Sequence, residues 1–167
     1  MSRAINIFII LLVVSLFSLT VGCQVKVRRP SRYLIPQNYI GWVRIDFNVE
    51  GASSLPVEDN HYLFKIPLTG HFETSSDIEY GVADDEYFYY SGDKRKKLQV
   101  STKDDSGMIR AGFNGQREKG TMNSNVRQLV ATFEYFFVGT DEDWRKYGQA
   151  KDENSNPKIG NLRKKED

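Results

Sequence analysis

From Trp42 to Val49 the chain alternates two chemistries. Val43, Ile45, Phe47 and Val49 fall on one side of an extended backbone, and Trp42, Arg44, Asp46 and Asn48 on the other. A period of two suits a strand with one face on a core; a helix would scatter those apolar residues around its surface. Pro36 and Gly41 lie just before the run, where neither interrupts its ladder. A second run, Arg127 to Val138, has the same period, with Leu129, Ala131, Phe133, Tyr135 and Phe137 on one face. Its β-branched and aromatic residues favour strand over helix.

Between these runs the strand signals are shorter. In His61–Pro67, Tyr62, Phe64 and Ile66 share a face; Leu68-Thr69-Gly70 turns the chain and His71–Thr74 follows, which predicts a hairpin. Ile78, Tyr80 and Val82 give a weaker strand signal. Glu86–Tyr90 carries aromatics on both faces, as a central strand would. Lys94–Lys97 is a basic run, suited to a sheet edge that charge keeps from pairing with other chains. Met108–Phe113 is a further strand, and Asn114–Asn125 a long polar loop. Thr140 followed by Asp141, Glu142 and Asp143 marks a helix start, and Gly148 its end. The expected fold is mainly β: an antiparallel β-sandwich or barrel-like sheet of about seven to eight strands with a short C-terminal helix.

The N-terminus has a different character. Arg3 precedes an almost wholly apolar run, Ile5 to Phe17, shorter than the roughly 20 residues that span a bilayer and of the length of a signal-peptide core. Val21-Gly22-Cys23 follows. The segment resembles a bacterial lipoprotein signal, in which Val21, Gly22 and Cys23 match the lipobox and Thr20 departs from its usual leucine. The resemblance implies cleavage before Cys23, acylation of its thiol, and a stable membrane anchor from two or three acyl chains; the alternatives are an ordinary secretory signal with an incidental cysteine and an uncleaved anchor. The expected division is a signal peptide over 1–22, a lipidated tether over 23–31, a β-rich domain over 32–148 and a disordered polar tail over 149–167. In the tether, Lys26, Arg28 and Arg29 are solvated linker charges or, alternatively, cations drawn to anionic head groups.

Charge and cysteine content exclude several functions. The chain has 23 basic and 22 acidic residues. Loss of residues 1–22 removes Arg3 alone and leaves a neutral protein, which argues against nucleic acid as a partner. A single cysteine excludes an internal disulfide and a Cys-rich zinc site. No Gly-x-Ser-x-Gly elbow, EF-hand spacing or phosphate-binding glycine loop is present. No catalytic residue, resident metal or cofactor is therefore expected.

Three constellations remain. His61 and His71 flank the expected hairpin and, with Glu73, offer the start of a metal site, although surface histidines are the commoner outcome. Asp77, Glu79, Asp84, Asp85 and Glu86 cluster, and such acids support glycan hydrolysis, calcium binding or merely a solvated turn. Trp42, Arg44, Tyr87 and Tyr89 are the candidate ligand-binding face, since rings with polar tips suit sugars and peptides. The commoner arrangement is a second sheet or the short helix covering that face, which would make Trp42 core.

Several segments together resemble an uncharacterised family of exported bacterial domains. They are Arg32-Tyr33-Leu34-Ile35-Pro36, Tyr39, Gly41–Phe47, Tyr62–Pro67, Gly70, Thr74–Gly81, Asp85–Tyr87, Tyr89–Asp93, Gly112–Gly115 and Glu134–Thr140. The resemblance implies no activity and no catalytic residues. The expected role is that of a lipid-anchored envelope protein with a non-catalytic binding or scaffolding domain, its partners the membrane and an envelope protein or glycan. The alternative is an acid-dependent, glycan-directed hydrolase.

Overall fold

The computed structural model describes residues 25–101, 107–119 and 128–162. The expected signal peptide and the lipidation site at Cys23 lie outside the described residues. Among those described, nine strands and one helix follow in order. They are β1 (Ser31–Pro36), β2 (Gly41–Phe47), β3 (Val57–Glu58), β4 (His61–Lys65), β5 (His71–Glu73), β6 (Glu86–Ser91), β7 (Lys94–Leu98), β8 (Ile109–Lys119), β9 (Gln128–Val138) and α1 (Asp141–Tyr147). The protein is mainly β, as expected, with a short C-terminal helix and no closed barrel.

The strands form two sheets, ordered β3-β4-β1-β6-β7 and β5-β2-β9-β8. Both are mixed rather than purely antiparallel. β1 runs parallel to β4 and β6, and β2 parallel to β5, whereas β6–β7, β2–β9 and β8–β9 are antiparallel. The cause lies in the route of the chain. After β1 it crosses to the other layer for β2, returns for β3 and β4, crosses for β5 and returns for β6. A strand that comes back after such an excursion can lie alongside its predecessor in the same direction. The predicted β4–β5 hairpin is therefore not formed. Residues 66–70 instead carry the chain between layers, closing on a turn in which the Gly70 N–H donates to the Pro67 carbonyl at 2.9 Å.

The core sits between the sheets. Tyr33 and Ile35 of β1, Val43, Ile45 and Phe47 of β2, Phe64 of β4, Tyr89 of β6 and Phe136 and Val138 of β9 are all buried in it. The alternation of Trp42 to Val49 thus points the expected side inward. In β9 the apolar face read from the sequence is the outer one. Phe133, Tyr135 and Phe137 face outward, while Thr132, Glu134, Phe136 and Val138 occupy the inward register. A second apolar cluster forms on that outer side, where Trp42, Ile40, Tyr135 and Phe137 meet Trp144 and Tyr147 of α1.

Capping places α1 there. The Asp143 N–H donates to Thr140 Oγ1 at 3.2 Å, and the Thr140 N–H donates back to Asp143 Oδ2 at 3.0 Å. Such a reciprocal box stabilises a helix start by about 1 kcal/mol. The Gly148 N–H closes the other end on the Trp144 carbonyl at 2.7 Å.

Three segments depart from expectation. Asn114 to Lys119 extend β8 rather than forming a loop, because the ladder with β9 satisfies their backbone and the exposed polar side chains of Asn114, Gln116 and Arg117 suit an edge; residues 120–125 of the expected loop lie outside the described residues. Ile78 to Val82 is not a named strand; only Val82 pairs, in a parallel bridge with Val27. Residues 149–162 are placed against the sandwich where composition predicts disorder. The Gly160 N–H donates to the Trp42 carbonyl at 3.2 Å and the Leu162 N–H to the Ile40 carbonyl at 2.7 Å. Gly41 permits this approach, since a Cβ there would lie 2.1 Å from the Gly160 oxygen. Residues 163–167 of the expected tail are outside the described residues.

Candidate functional site

The predicted ligand-binding face does not assemble. Trp42 lies on the outer side of the four-stranded sheet, 3% exposed, with its indole N–H donated to the Gly148 carbonyl at 3.0 Å. Arg44 shares that side. Tyr87 and Tyr89 belong to the other sheet and point into the interior, where Tyr87 stacks on Tyr33 at 4.7 Å and the Tyr89 hydroxyl donates to the Tyr39 carbonyl at 2.7 Å. Helix α1 covers Trp42, so the four side chains are separated by the core itself.

The two histidines are separated in the same way. His61 lies on the outer face of the five-stranded sheet, its Nδ1 2.8 Å from the Asp59 carbonyl oxygen and its Nε2 3.8 Å from Glu86. His71 lies on the outer face of the opposite sheet, with Nε2 2.6 Å from Asp46 Oδ2 and 3.9 Å from Glu73 Oε1. Asp46, His71 and Glu73 are a possible cation cluster by distance. Arg44 argues against that use, because its Nε and Nη2 donate to both Asp46 oxygens at 2.7–3.0 Å. Burial raises the proton affinity of Asp46, but the bonds from Arg44 and His71 outweigh it and hold the carboxyl below its ordinary range. A metal would have to displace a guanidinium already seated on both oxygens.

The acidic cluster is also engaged. Asp85 accepts from both terminal nitrogens of Arg28, and its Oδ1 accepts the Ser31 N–H at 2.8 Å. Asp77 accepts from the Asn48 amide, and Glu79 from the Tyr62 hydroxyl at 2.6 Å. Glu86 accepts from Lys97 at 2.9 Å and Arg32 Nε at 3.0 Å, and these cations draw its carboxyl below the usual range. Asp84 is exposed.

The residue that sequence reasoning missed is Glu134. It sits in the middle of β9, opposite Ile45 of β2 and Asn114 of β8, and turns inward. Its carboxyl receives the Tyr33 hydroxyl at 3.3 and 3.4 Å to its two oxygens. Burial, reinforced by the negative charge of Asp85, pushes it up to about 7, against the smaller opposing pull of Tyr33 and Arg28. Glu134 is half-buried because it reaches open space on two sides. One cavity, of about 120 Å³, is lined by Tyr33, Tyr62, Phe64, Arg28, Glu79 and Asn114 along with Glu134. A second, of about 360 Å³, places Glu134 beside Tyr87, Ile109 and Phe136. A carboxyl accepts at up to about four lone-pair positions, and one hydroxyl satisfies few of them. The sequence signal was available: Glu134 is the single acid in an inward series of Thr132, Phe136 and Val138.

This combination of sheets has a solved counterpart. The chain is similar to the crystal structure of a "Putative Lipoprotein" from Bacillus anthracis, with 24% identity, a TM-score of 0.55 and coverage of 77% of this chain and 84% of that one. The likeness carries the fold. No curated protein matches the chain. The model of one family does match, over residues 28–141, a span that holds β1 through β9, the Arg28–Asp85 pair and Glu134. The chain belongs to that family, a family of unknown function designated DUF6843.

Proposed function

We propose that this is an exported, lipid-anchored envelope protein whose sandwich binds a polar ligand, without catalysis, in the cleft around Glu134. The observation that carries the reading is the Glu134 carboxyl, walled by tyrosines, open to two cavities and served among the described residues by the Tyr33 hydroxyl alone. Fixed polar groups within an aromatic-walled concavity orient small ligands. The donor-rich chemistry that would complete such a carboxyl is found in an amide- and hydroxyl-bearing glycan or an amine-bearing peptide.

The anchor is supported by the Val21-Gly22-Cys23 pattern and by the similarity to a protein described as a lipoprotein. Metabolic labelling with palmitate is expected to mark the wild type and to leave Cys23→Ala unlabelled and unprocessed. Equal labelling of both would remove the anchor from the account.

One observation favours the hydrolase alternative. Burial and the nearby charge of Asp85 raise Glu134 to about 7, the range suited to an acid in glycan cleavage. Against it, both Asp85 oxygens already accept bonds from Arg28, and one also accepts the Ser31 N–H. Titrating the protein with an N-acetylglucosamine tetrasaccharide and with a short lysine-bearing peptide separates the readings. Saturable binding of one probe, weakened at least about tenfold (about 1.4 kcal/mol) in Glu134→Leu, is the expected result. Shorter sugars appearing with time would support hydrolysis, and binding that survives the substitution would move the site elsewhere.

A further inference from the structure

The segment that enters the sandwich is not a free tether. Val27 and Val82 form a parallel bridge; the Arg28 N–H donates to the Val82 carbonyl at 3.1 Å and the Val82 N–H to the Lys26 carbonyl at 2.9 Å. Arg28 is then pinned by Asp85. Gly81 makes the approach possible, because a Cβ there would lie 2.6 Å from the Lys26 oxygen. The docked segment carries three of the protein's exposed valines: Val25 at 65%, Val27 at 77% and, across the bridge, Val82 at 60% exposure. Lys26 and Arg29 beside them are exposed cations.

We propose that Val25, Val27 and Val82, with Lys26 and Arg29 adjacent in the chain, form a membrane-contact patch that seats the sandwich on the anionic surface of the bilayer holding its anchor. The inference rests on the anchored reading above. Chain length carries it. Cys23 is four residues before Val27, and at about 3.5 Å per residue that is a reach of at most about 14 Å. The docked valines therefore stand at head-group distance. Apolar side chains enter the interface while basic neighbours meet anionic head groups, the pattern of surface-seated segments. Tyr80 and Gly81, next to the patch, also line the smaller Glu134 cavity. The seated domain holds that side of the cleft at the membrane surface.

The test uses the full-length protein in vesicles containing phosphatidylglycerol. A nitroxide is placed at Asp84→Cys, beside the patch, or at Asp93→Cys, in the turn between β6 and β7. Sedimentation with the vesicles reports the anchor, and accessibility to a water-soluble nickel chelate reports the patch. Loss of accessibility at 84 but not at 93 is expected. It should be restored by adding Val27→Asp with Val82→Asp, and separately by Gly81→Val, with sedimentation unchanged in both. Sedimentation with equal accessibility at 84 and 93 overturns the patch and leaves the anchor standing. Failure to sediment overturns the anchor, and the patch falls with it.

Discussion

Replacing Glu134 with glutamine is expected to stabilise the protein at pH 8 and to change little at pH 5. The carboxyl titrates near 4.3 in an unfolded chain and is held at about 7 in the fold. The folded state therefore binds the proton more tightly than the unfolded one. The stability this confers is complete below about pH 4.3 and declines as pH rises through about 7, where the buried group must ionise. A shift of that size corresponds to about 4 kcal/mol, and solvent in the two cavities reduces it to about 2 kcal/mol. Glutamine keeps the shape and the acceptor for Tyr33 without the charge. Thermal melts of both proteins between pH 4 and 9 should give difference curves that separate above about pH 5, reaching roughly 5–10 °C in favour of the variant. Parallel curves would mean that Glu134 is solvated and that the proposed cleft lacks its defining group.

The second large effect lies on the opposite side of β9. Trp42→Ala is expected to cost about 3–5 kcal/mol, the range for emptying a buried aromatic site. The indole meets Phe113, Tyr135, Phe137 and Trp144 with ring centroids 5.6–6.4 Å apart, and its N–H satisfies the Gly148 carbonyl. Its removal takes from α1 one of the two rings that Trp144 packs on, the other being Phe137. The loss should therefore be concentrated in residues 141–162, and amide hydrogen exchange should show that stretch opening before the sheets. Trp42→Phe, which keeps a ring but drops the hydrogen bond, is expected to cost about 1–2 kcal/mol and to leave α1 protected. Should Trp42→Ala melt within a degree or two of wild type, the outer cluster would not be what holds the C-terminal segment.

Where the sequence was legible, one face of an element differed from the other. Val43, Ile45 and Phe47 contrast with Arg44 and Asp46, and their orientation followed. The capping box around Thr140 and the charged edge at Lys94–Lys97 were legible because the chemistry is local. β9 was ambiguous because both its faces are greasy, one toward the core and one toward α1; a period of two identifies the faces without saying which is inside. Glu134 was hidden by that ambiguity. The crossings between layers were hidden because turn residues such as Pro67 and Gly70 look alike whether a strand folds back on its neighbour or leaves for another sheet. The placement of residues 149–162 escaped because backbone bonds to Ile40 and Trp42 hold them, and hydropathy does not register backbone bonds.

The repeated crossings of the chain bear on how fast the protein can fold. Among the described residues, β3–β4, β6–β7 and β8–β9 pair consecutive strands antiparallel within one sheet; the β1–β4, β1–β6 and β2–β9 ladders each close a long loop. Loop-closure entropy must be met before such contacts give anything back, which places comparable all-β topologies on millisecond-to-second timescales. A polypeptide threaded through a secretion channel has to stay extended until it emerges. On the exported reading proposed above, slow, mutually dependent closure of the two layers would keep this one threadable for longer than a chain of local hairpins.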